Sequence, residues 1–200
     1  MHPILISVTV AYLLGSIPFG YILVRIFRGT DVRTTGSGNI GATNVARTAP
    51  LLGLATLVLD FFKGLAAVVM VSAFFPGHPT LPFAAAFAAI AGHVAPLWLR
   101  FKGGKGVASG LGSLVLLTPK SILVAILVFV GVMIWFRRVA LASISATASL
   151  PFLVFVLQES DNSIQFWLLV ASCLLIIAKH HQNIRRLFVG TEPKFQMARK

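Results

Sequence analysis

Three short polar segments, separated by long apolar runs, carry the residues whose types and spacing could do chemistry. The first segment, residues 34–47, has the sequence TTGSGNIGATNVAR. Its glycines allow the backbone to approach a ligand closely, and successive backbone N–H groups in such a loop can form a concave anion site. Ser37, Asn39, Thr43 and Asn44 add side-chain donors, and the guanidinium of Arg47 matches the planar geometry of a phosphate. The pattern indicates phosphate binding, and the alternative is a plain surface turn.

The first segment also imitates the phosphate loop of nucleoside triphosphatases, but it departs from that motif at the decisive position. Residues 36–41 fit the spacing G-x-x-x-x-G, yet Ala42 stands where the motif requires a lysine. Residues 57–60, LVLD, imitate the acidic strand of such proteins. Because the phosphate-bridging lysine is missing and no soluble strand–helix–strand pattern surrounds the loop, we exclude a nucleoside triphosphatase.

The second segment, residues 92–106, ends in the sequence FKGGKG directly before a short apolar run. A glycine loop at the N-terminus of a helix is a natural anion site, because the first N–H groups of the helix are free and its dipole favours negative charge. A turn that only sets membrane topology would explain Lys102 and Lys105 but not the three glycines around Lys105. His93, a lone histidine near a helix end, is interpreted as a structural hydrogen-bonding residue.

The third segment, residues 179–186, has the sequence KHHQNIRR at the end of the last apolar run. His180 and Asn183 are three residues apart and therefore share one face of a helix, which favours a functional role for the pair. Arg185 and Arg186 fit anchoring to lipid headgroups. Adjacent histidines point apart on a helix, so the segment predicts no metal site.

The elements that must position these segments are apolar runs of membrane-spanning length. The chain has 200 residues, of which 57% are hydrophobic and 11% charged, whereas a soluble domain carries about 25% charged residues. Six runs approach the ~20 residues that a span needs: residues 4–27, 51–75, 82–99, 121–136, 140–157 and 164–178. A seventh run, residues 107–118, would cover only about 18 Å as a helix and is either a tilted span or a re-entrant helix. We therefore predict one all-α polytopic membrane domain over residues 1–200.

The distribution of basic residues decides the number of passes. With seven passes, 15 of the 17 Lys and Arg residues lie on one side, and Lys120 with the acidic turn at 159–161 lies on the other. Six passes would divide the cations, since Arg137, Arg138 and the C-terminal tail would change sides. The positive-inside rule then favours seven helices, one of them short, with the N-terminus outside and the C-terminus in the cytoplasm. The net charge of +12 reflects this topology and anionic small ligands, because the loops are too short for a nucleic-acid-binding domain.

Three polar features within the apolar runs have structural interpretations. Asp60 and Lys63 are three residues apart on a helix and should pair, because isolated charges at membrane depth are costly. Ser143 belongs to a stripe of small polar residues that more often serves helix packing, although it lies near enough to the inner face to contact a ligand. Cys173 is the only cysteine and is too deep in its run to serve as a nucleophile.

Taken together, the segments resemble the bacterial acyl-phosphate:glycerol-3-phosphate acyltransferase family. The resemblance covers nearly the whole chain in order, and the set of three segments is specific where a single glycine-rich loop would not be. The matching stretches are GSIPFG at 15–20, residues 36–47, DFFKG at 60–64, residues 92–106, LASI at 141–144 and residues 180–186.

The resemblance implies a seven-helix fold in the bacterial inner membrane with an active site on the cytoplasmic face. It implies transfer of a fatty acyl group from acyl phosphate to glycerol 3-phosphate, which gives lysophosphatidate and phosphate in the first acylation step of phospholipid synthesis. No cofactor, metal, nucleic acid or obligate protein partner is implied, and the partners are the two substrates and membrane lipid. The residues carried over by position are Ser37, Gly38, Asn39, Arg47, Lys105, Ser143, His180 and Asn183, with Lys105, His180 and Asn183 as the catalytic set.

The residue types suit this reaction, because two phosphate-bearing substrates must be brought together. Unit charges 4 Å apart interact by ~4 kcal/mol at an effective dielectric constant near 20, so cations are needed and carboxylates would be harmful. We predict that Arg47, Lys105 and Ser37 clamp the phosphate of glycerol 3-phosphate. His180 and Asn183 would orient its hydroxyl or support a phosphate, and the leaving phosphate could itself accept the proton.

Three other classes fit the sequence less well. A phosphate transporter would have basic groups near the bilayer midplane and inverted repeats, and neither is evident. A metal-dependent phosphotransferase needs clustered aspartates for Mg²⁺, which the sequence lacks. An acyl-CoA-dependent acyltransferase with an H-x-x-x-x-D pair is excluded because His93, His180 and His181 all lack an aspartate five residues later.

Overall fold

This computed structural model describes residues 2–195. The regular secondary structure in this range consists of helices that are joined by loops and turns. The two predicted inner-side cations Arg199 and Lys200 lie outside the described residues. Short 3-10 helices at Val32–Thr34 and Leu97–Leu99 precede the first and second glycine loops. The α-helices are α1 (Pro3–Gly15), α2 (Phe19–Arg28), α3 (Ala42–Thr48), α4 (Pro50–Phe74), α5 (Leu81–Val94), α6 (Val107–Leu114), α7 (Pro119–Phe136), α8 (Val139–Val156), α9 (Ser163–Ala178) and α10 (His181–Phe188).

Within residues 2–195, five helical segments are long and apolar enough to cross a membrane. They are Pro3–Arg28, Pro50–Phe74, Leu81–Leu99, Pro119–Phe136 and Val139–Val156, and α9 with α10 forms a sixth candidate that bends by 58°. Large apolar side chains on these segments are exposed, as expected where lipid replaces water as the solvent. The multi-pass helical architecture predicted from the sequence is thereby confirmed.

Two of the predicted runs differ in detail. The first run is not continuous, because residues 16–18 separate α1 from α2: Pro18 has no N–H to donate to the preceding turn. The seventh run is helical only over Val107–Leu114, eight residues that extend about 12 Å, and a turn at residues 115–118 leads into α7. This helix is too short to cross the bilayer by itself.

The short helix α6 is held against α4 by close backbone contact. A Cβ atom at Gly112 would collide with the carbonyl oxygen of Phe61, and one at Gly64 with the carbonyl oxygen of Ser109. Small residues at such crossings allow helix backbones to approach, which is how membrane helices gain packing energy. The sequence of α6, which carries two glycines and two serines, thus suits burial against α4 rather than exposure to lipid.

The loops that connect the helices form two sets, and the loops within a set contact one another. In one set, Glu159 accepts hydrogen bonds from the backbone N–H groups of Lys120 and Ser121, and Gln165 donates to the carbonyl of Pro79. In the other set, Arg138 donates to the carbonyl of Glu192, next to the third polar segment. The three polar segments found in the sequence belong to this second set, as the geometry of the site shows.

Candidate active site

The first glycine loop is organised by the side chain of Asn44. Its Oδ1 accepts from the backbone N–H of Ser37 at 2.8 Å, and its Nδ2 donates to the carbonyls of Val32, Thr35 and Asn39 at 2.9 to 3.2 Å. Asn44 is buried, and all of these bonds fold the loop around it. The sequence suggested Asn44 as a further ligand donor, but the structure uses its amide to shape the loop.

A cleft of about 110 Å³ lies where the three polar segments meet. Four predicted site residues, Ser37, Asn39, Lys105 and Asn183, line this substrate cleft together. The remaining lining residues are Gly103, Lys179, His181, Gln182 and Arg186. Segments separated by more than 60 positions in the sequence therefore converge on one polar cavity, which is rimmed by three cationic side chains.

The other four predicted residues do not line this cleft. Arg47 is exposed at the end of α3, close enough to Lys105 to affect its ionisation. Gly38 has φ +70° and lies against the carbonyl of Arg33, so it shapes the loop. Ser143 is buried within α8. His180 is buried at the start of α10, directly before the cleft residue His181.

Lys105 is the partly buried cation at the centre of this charge cluster. The pKa of Lys105 is lowered to about 8, chiefly by burial; the negative charge of Glu192 opposes this shift, and the positive charges of Arg186 and Arg47 add to it. A lysine held among other cations is a strong anion ligand when protonated. Lys105 therefore has the charge and the position to meet a phosphate.

His180 is a neutral hydrogen-bond acceptor rather than a cation. Burial lowers the pKa of its imidazole to about 4, and nearby Lys105 acts in the same direction, whereas the hydrogen bond to Ile176 and the charge of Glu192 oppose the shift. The Nδ1 atom lies 2.8 Å from the carbonyl oxygen of Ile176, which can only accept, so Nδ1 carries the proton. The Nε2 lone pair of the neutral ring is thus left to accept a hydrogen bond.

Asn183 is oriented by a buried carboxylate that the sequence did not lead us to expect. Glu192 accepts from Nδ2 of Asn183 through one oxygen and from Nε of Arg186 through the other, both at 2.7 Å. A carboxylate only accepts, so it directs the Asn183 amide nitrogen toward itself and leaves Oδ1 as an acceptor. We had expected carboxylates to be harmful near the phosphates, but the ion pair with Arg186 compensates the charge of this one.

A buried polar network lies behind the second glycine loop and joins several helices. Oδ1 of Asp60 lies 2.6 Å from Nζ of Lys63, although it lacks an aligned hydrogen bond, so charge chiefly holds the pair. Nζ of Lys63 donates to the carbonyl of Ile17 at 2.7 Å, at the break between α1 and α2. Nδ1 of His93 lies 3.6 Å from Asp60 and 3.1 Å from the hydroxyl of Ser109. The network thus ties α4, α5 and α6 to the break between α1 and α2.

His93 connects this network to the substrate cleft. Its carbonyl accepts from the backbone N–H of Gly104 at 3.0 Å, and a Cβ atom at Gly104 would collide with Nε2 of its ring. Because Gly104 precedes Lys105, the imidazole of His93 forms the surface on which the loop rests. The sequence-based interpretation of His93 as a structural residue agrees with these contacts.

Removal of the lysine from the buried ion pair should destabilise the fold. In Lys63→Met the carboxylate of Asp60 stays buried without its partner, and we expect a loss of about 3–5 kcal/mol in the free energy of unfolding. Asp60→Asn/Lys63→Met should recover most of this loss, because no buried charge remains. Denaturant unfolding of the purified protein in detergent measures both, and equal losses in the two variants would contradict the pairing.

Comparison with known proteins identifies the family of this chain. The family model described as glycerol-3-phosphate acyltransferase matches residues 5–190. The chain belongs to this family. A glycerol-3-phosphate acyltransferase from Geotalea daltonii is 47% identical over 93% of this chain and 94% of the relative. One from Geobacter sulfurreducens is 43% identical over 96% of this chain and 97% of the relative.

Solved structures of glycerol-3-phosphate acyltransferases share the fold. An integral membrane glycerol 3-phosphate acyltransferase in its glycerol 3-phosphate form matches with a TM-score of 0.90 and 37% identity, over 98% of this chain and 96% of that chain. The lysophosphatidic acid form matches with a TM-score of 0.88 and 36% identity, over 98% and 97% of the two chains. The resemblance seen in the sequence is confirmed, and this chain is a membrane glycerol-3-phosphate acyltransferase.

Sequence reasoning missed several residues of the acyltransferase cleft. Lys179 and His181 were not among the residues carried over by position, yet both line the cavity. Glu192 belongs to no recognised motif. Its position as a lone acidic residue in a basic tail, nine residues after Asn183, could have indicated a role in the site. Gln182 gave no signal that distinguishes it from a surface residue.

Proposed function

We propose that this acyltransferase uses acyl phosphate as its donor and works on the cytoplasmic face of the bacterial inner membrane. The hydroxyl oxygen of glycerol 3-phosphate attacks the acyl carbonyl carbon, an ester C–O bond forms, and the bond from that carbon to the phosphate oxygen breaks. The products are lysophosphatidate and phosphate, and the departing phosphate carries away the hydroxyl proton. The mixed anhydride is already activated, so no covalent enzyme intermediate is required.

The single observation that carries this proposal is that positively charged side chains and hydrogen-bond acceptors lie together in or next to one small cleft. Lys105 and Lys179, with Arg47 close by, supply positive charge for a phosphate. The two acceptors, Nε2 of His180 and Oδ1 of Asn183, suit hydroxyl donors and would repel a phosphate. Of the two roles that the sequence left open for His180 and Asn183, the geometry favours orientation of the attacking hydroxyl. Positioning of this kind can contribute several kcal/mol to catalysis.

The connections between helices support seven passes with the N-terminus outside. Lys105 lies in the substrate cleft with the third polar segment, whereas Ser121 binds Glu159 in the opposite set of connections. We infer that the chain changes ends between these residues by way of α6 and the turn after it, so that α7 starts from the outer side. This count keeps the cations on one face, which the positive-inside rule places in the cytoplasm.

The test is reconstitution of the reaction from purified protein in detergent. Palmitoyl phosphate and labelled glycerol 3-phosphate should yield labelled lysophosphatidate and one equivalent of phosphate, and a chelator should leave the rate unchanged. Palmitoyl-CoA in place of palmitoyl phosphate is the control donor. Product formation from the CoA thioester alone would overturn the proposed donor, and the absence of product with either donor would overturn the proposed role of the cleft.

The pKa of Lys105 predicts how this activity depends on pH. The charged ammonium is the form that binds phosphate, so its contribution is present below the pKa of about 8 and is lost as pH rises through that value. Glycerol 3-phosphate does not titrate there, because the second pKa of a phosphate monoester is about 6. The kcat/KM for glycerol 3-phosphate should fall above pH 8, whereas Lys105→Arg should show no such fall, since a guanidinium keeps its proton. Identical profiles would contradict the assignment.

A further inference from the structure

A second basic cleft, separate from the substrate cleft, lies on the other side of the same loop. It encloses about 390 Å³, and its lining residues are Tyr21, Arg33, Trp98, Leu99, Arg100 and Lys102, which we call the Trp98 cleft. No lining residue is shared between the two clefts. The loop divides them, because Arg100 and Lys102 line the Trp98 cleft while Gly103 and Lys105 line the substrate cleft.

The charge of the Trp98 cleft is positive and largely uncompensated. Arg33 is engaged by Asp31 through a 2.6 Å ion pair and lies over the ring of Tyr21 at 5.0 Å from its centroid, which fixes the planar guanidinium against one wall. Within residues 2–195, neither Arg100 nor Lys102 has an acidic partner within 4.0 Å. Even with Asp31 counted, the cleft presents an excess of positive charge suited to a phosphate.

The turn that forms this cleft has an unusual backbone. Arg100 and Phe101 adopt φ values of 52° and 61°, the left-handed region that residues other than glycine rarely occupy. The turn is closed by a hydrogen bond from the N–H of Phe101 to the carbonyl of Pro96 at 3.0 Å. Two successive residues in this region show that the surrounding structure imposes a defined shape on the turn, a feature found at binding sites.

The same turn exposes apolar side chains beside the cations. Leu97, Trp98 and Phe101, at the end of the membrane-spanning segment Leu81–Leu99, are 45%, 60% and 59% exposed. Tryptophan and other apolar side chains beside Lys and Arg at the end of a span are typical of the membrane interface, where rings contact the acyl region and cations meet headgroups. A free phosphate in water would gain nothing from these exposed apolar groups.

We propose that the Trp98 cleft binds the phosphate headgroup of an anionic membrane phospholipid, with Arg100 and Lys102 as the charged ligands and Trp98 against the lipid body. This site is independent of catalysis at the substrate cleft. It anchors the loop that carries Lys105 to the surface of the inner leaflet. A zwitterionic lipid lacks the net negative charge that the excess of cations selects.

Lipid retention by the full-length protein tests this site. The protein in dodecyl maltoside is mixed with equimolar dioleoylphosphatidylglycerol and dioleoylphosphatidylcholine, and bound lipid is read by native mass spectrometry. The wild type should retain phosphatidylglycerol preferentially, and Arg100→Gln/Lys102→Gln should bind it about 10- to 30-fold more weakly. The matched control, Arg28→Gln/Arg137→Gln, removes two exposed cations outside both clefts and should retain the wild-type preference.

Competition with soluble phosphates shows whether the Trp98 cleft binds a lipid headgroup or a free phosphate. Inorganic phosphate and glycerol 3-phosphate should not displace phosphatidylglycerol, and Trp98→Ala should weaken its retention. Displacement by either soluble phosphate would overturn the lipid assignment, and so would equal retention by the cleft and control variants. Lipid retention is measured without any enzyme turnover. A negative result for the lipid site can therefore be distinguished from a negative result for the proposed reaction.

Discussion

Replacement of Lys105 by alanine should lower kcat/KM for glycerol 3-phosphate by about 100- to 1,000-fold, because it removes the partly buried charge that we propose binds the phosphate. Arg47→Ala should lower it in the same direction by a smaller factor, since Arg47 is more exposed and lies outside the lining of the cleft. The measurement is steady-state kinetics with saturating palmitoyl phosphate and varied glycerol 3-phosphate.

The matched control for Lys105→Ala is Arg28→Ala. Arg28 is an exposed cation at the end of α2, lines neither cleft, and should leave kcat/KM near the wild-type value. This control separates loss of a specific ligand from loss of overall positive charge, which affects the approach of any anion. Near-wild-type turnover in both Lys105→Ala and Arg47→Ala would show that the phosphate clamp is wrongly assigned.

Replacement of Gly104 by alanine should raise the KM for glycerol 3-phosphate by about 10- to 100-fold. The new methyl group would collide with Nε2 of His93, and the buried ring cannot withdraw because Asp60 and Ser109 hold its other edge. The loop must shift instead, and Lys105 shifts with it. The matched control is Gly131→Ala, where nothing lies within 4 Å of an added Cβ atom and the kinetics should not change.

A double-mutant cycle shows whether the collision with His93 is the cause. In a His93→Ala background the ring is gone, so Gly104→Ala should add little to whatever His93→Ala costs alone. If the two substitutions instead multiply their effects on KM, the alanine disturbs the loop through its backbone and not through His93. A melting temperature close to that of the wild type in Gly104→Ala confirms that the fold is retained.

The composition and the order of the polar segments were enough to predict the class of fold and the family. Long apolar runs require helices because backbone groups in lipid must be satisfied within their own segment, so this prediction needs no tertiary information. The predictions that Ser37, Asn39, Lys105 and Asn183 form one site rested on motifs, and all four line the same cleft.

Sequence-based predictions failed where the role of a residue depends on its hydrogen-bond partner in the folded protein. Asn44 carried the same donors as its neighbours, and only the folded loop shows that they bond to Val32, Thr35 and Asn39 instead of a ligand. Pro18 lies in an apolar run that reads as continuous, yet it breaks the helix and marks where the carbonyl of Ile17 receives Lys63. Neither partner can be inferred from spacing along the chain.

The sequence alone therefore determined that this is a helical membrane protein, because hydropathy acts locally, and the resemblance of its polar segments gave the acyltransferase family. Only the tertiary structure decided what each polar group does. Glu192 engages the amide nitrogen of Asn183 and leaves its Oδ1 as an acceptor, and Ile176 engages Nδ1 of His180 and leaves Nε2 as an acceptor. Both residues can therefore accept a hydrogen bond from a substrate hydroxyl. Hydrogen bonds are directional, and their donors and acceptors are assigned only when the partner is in place.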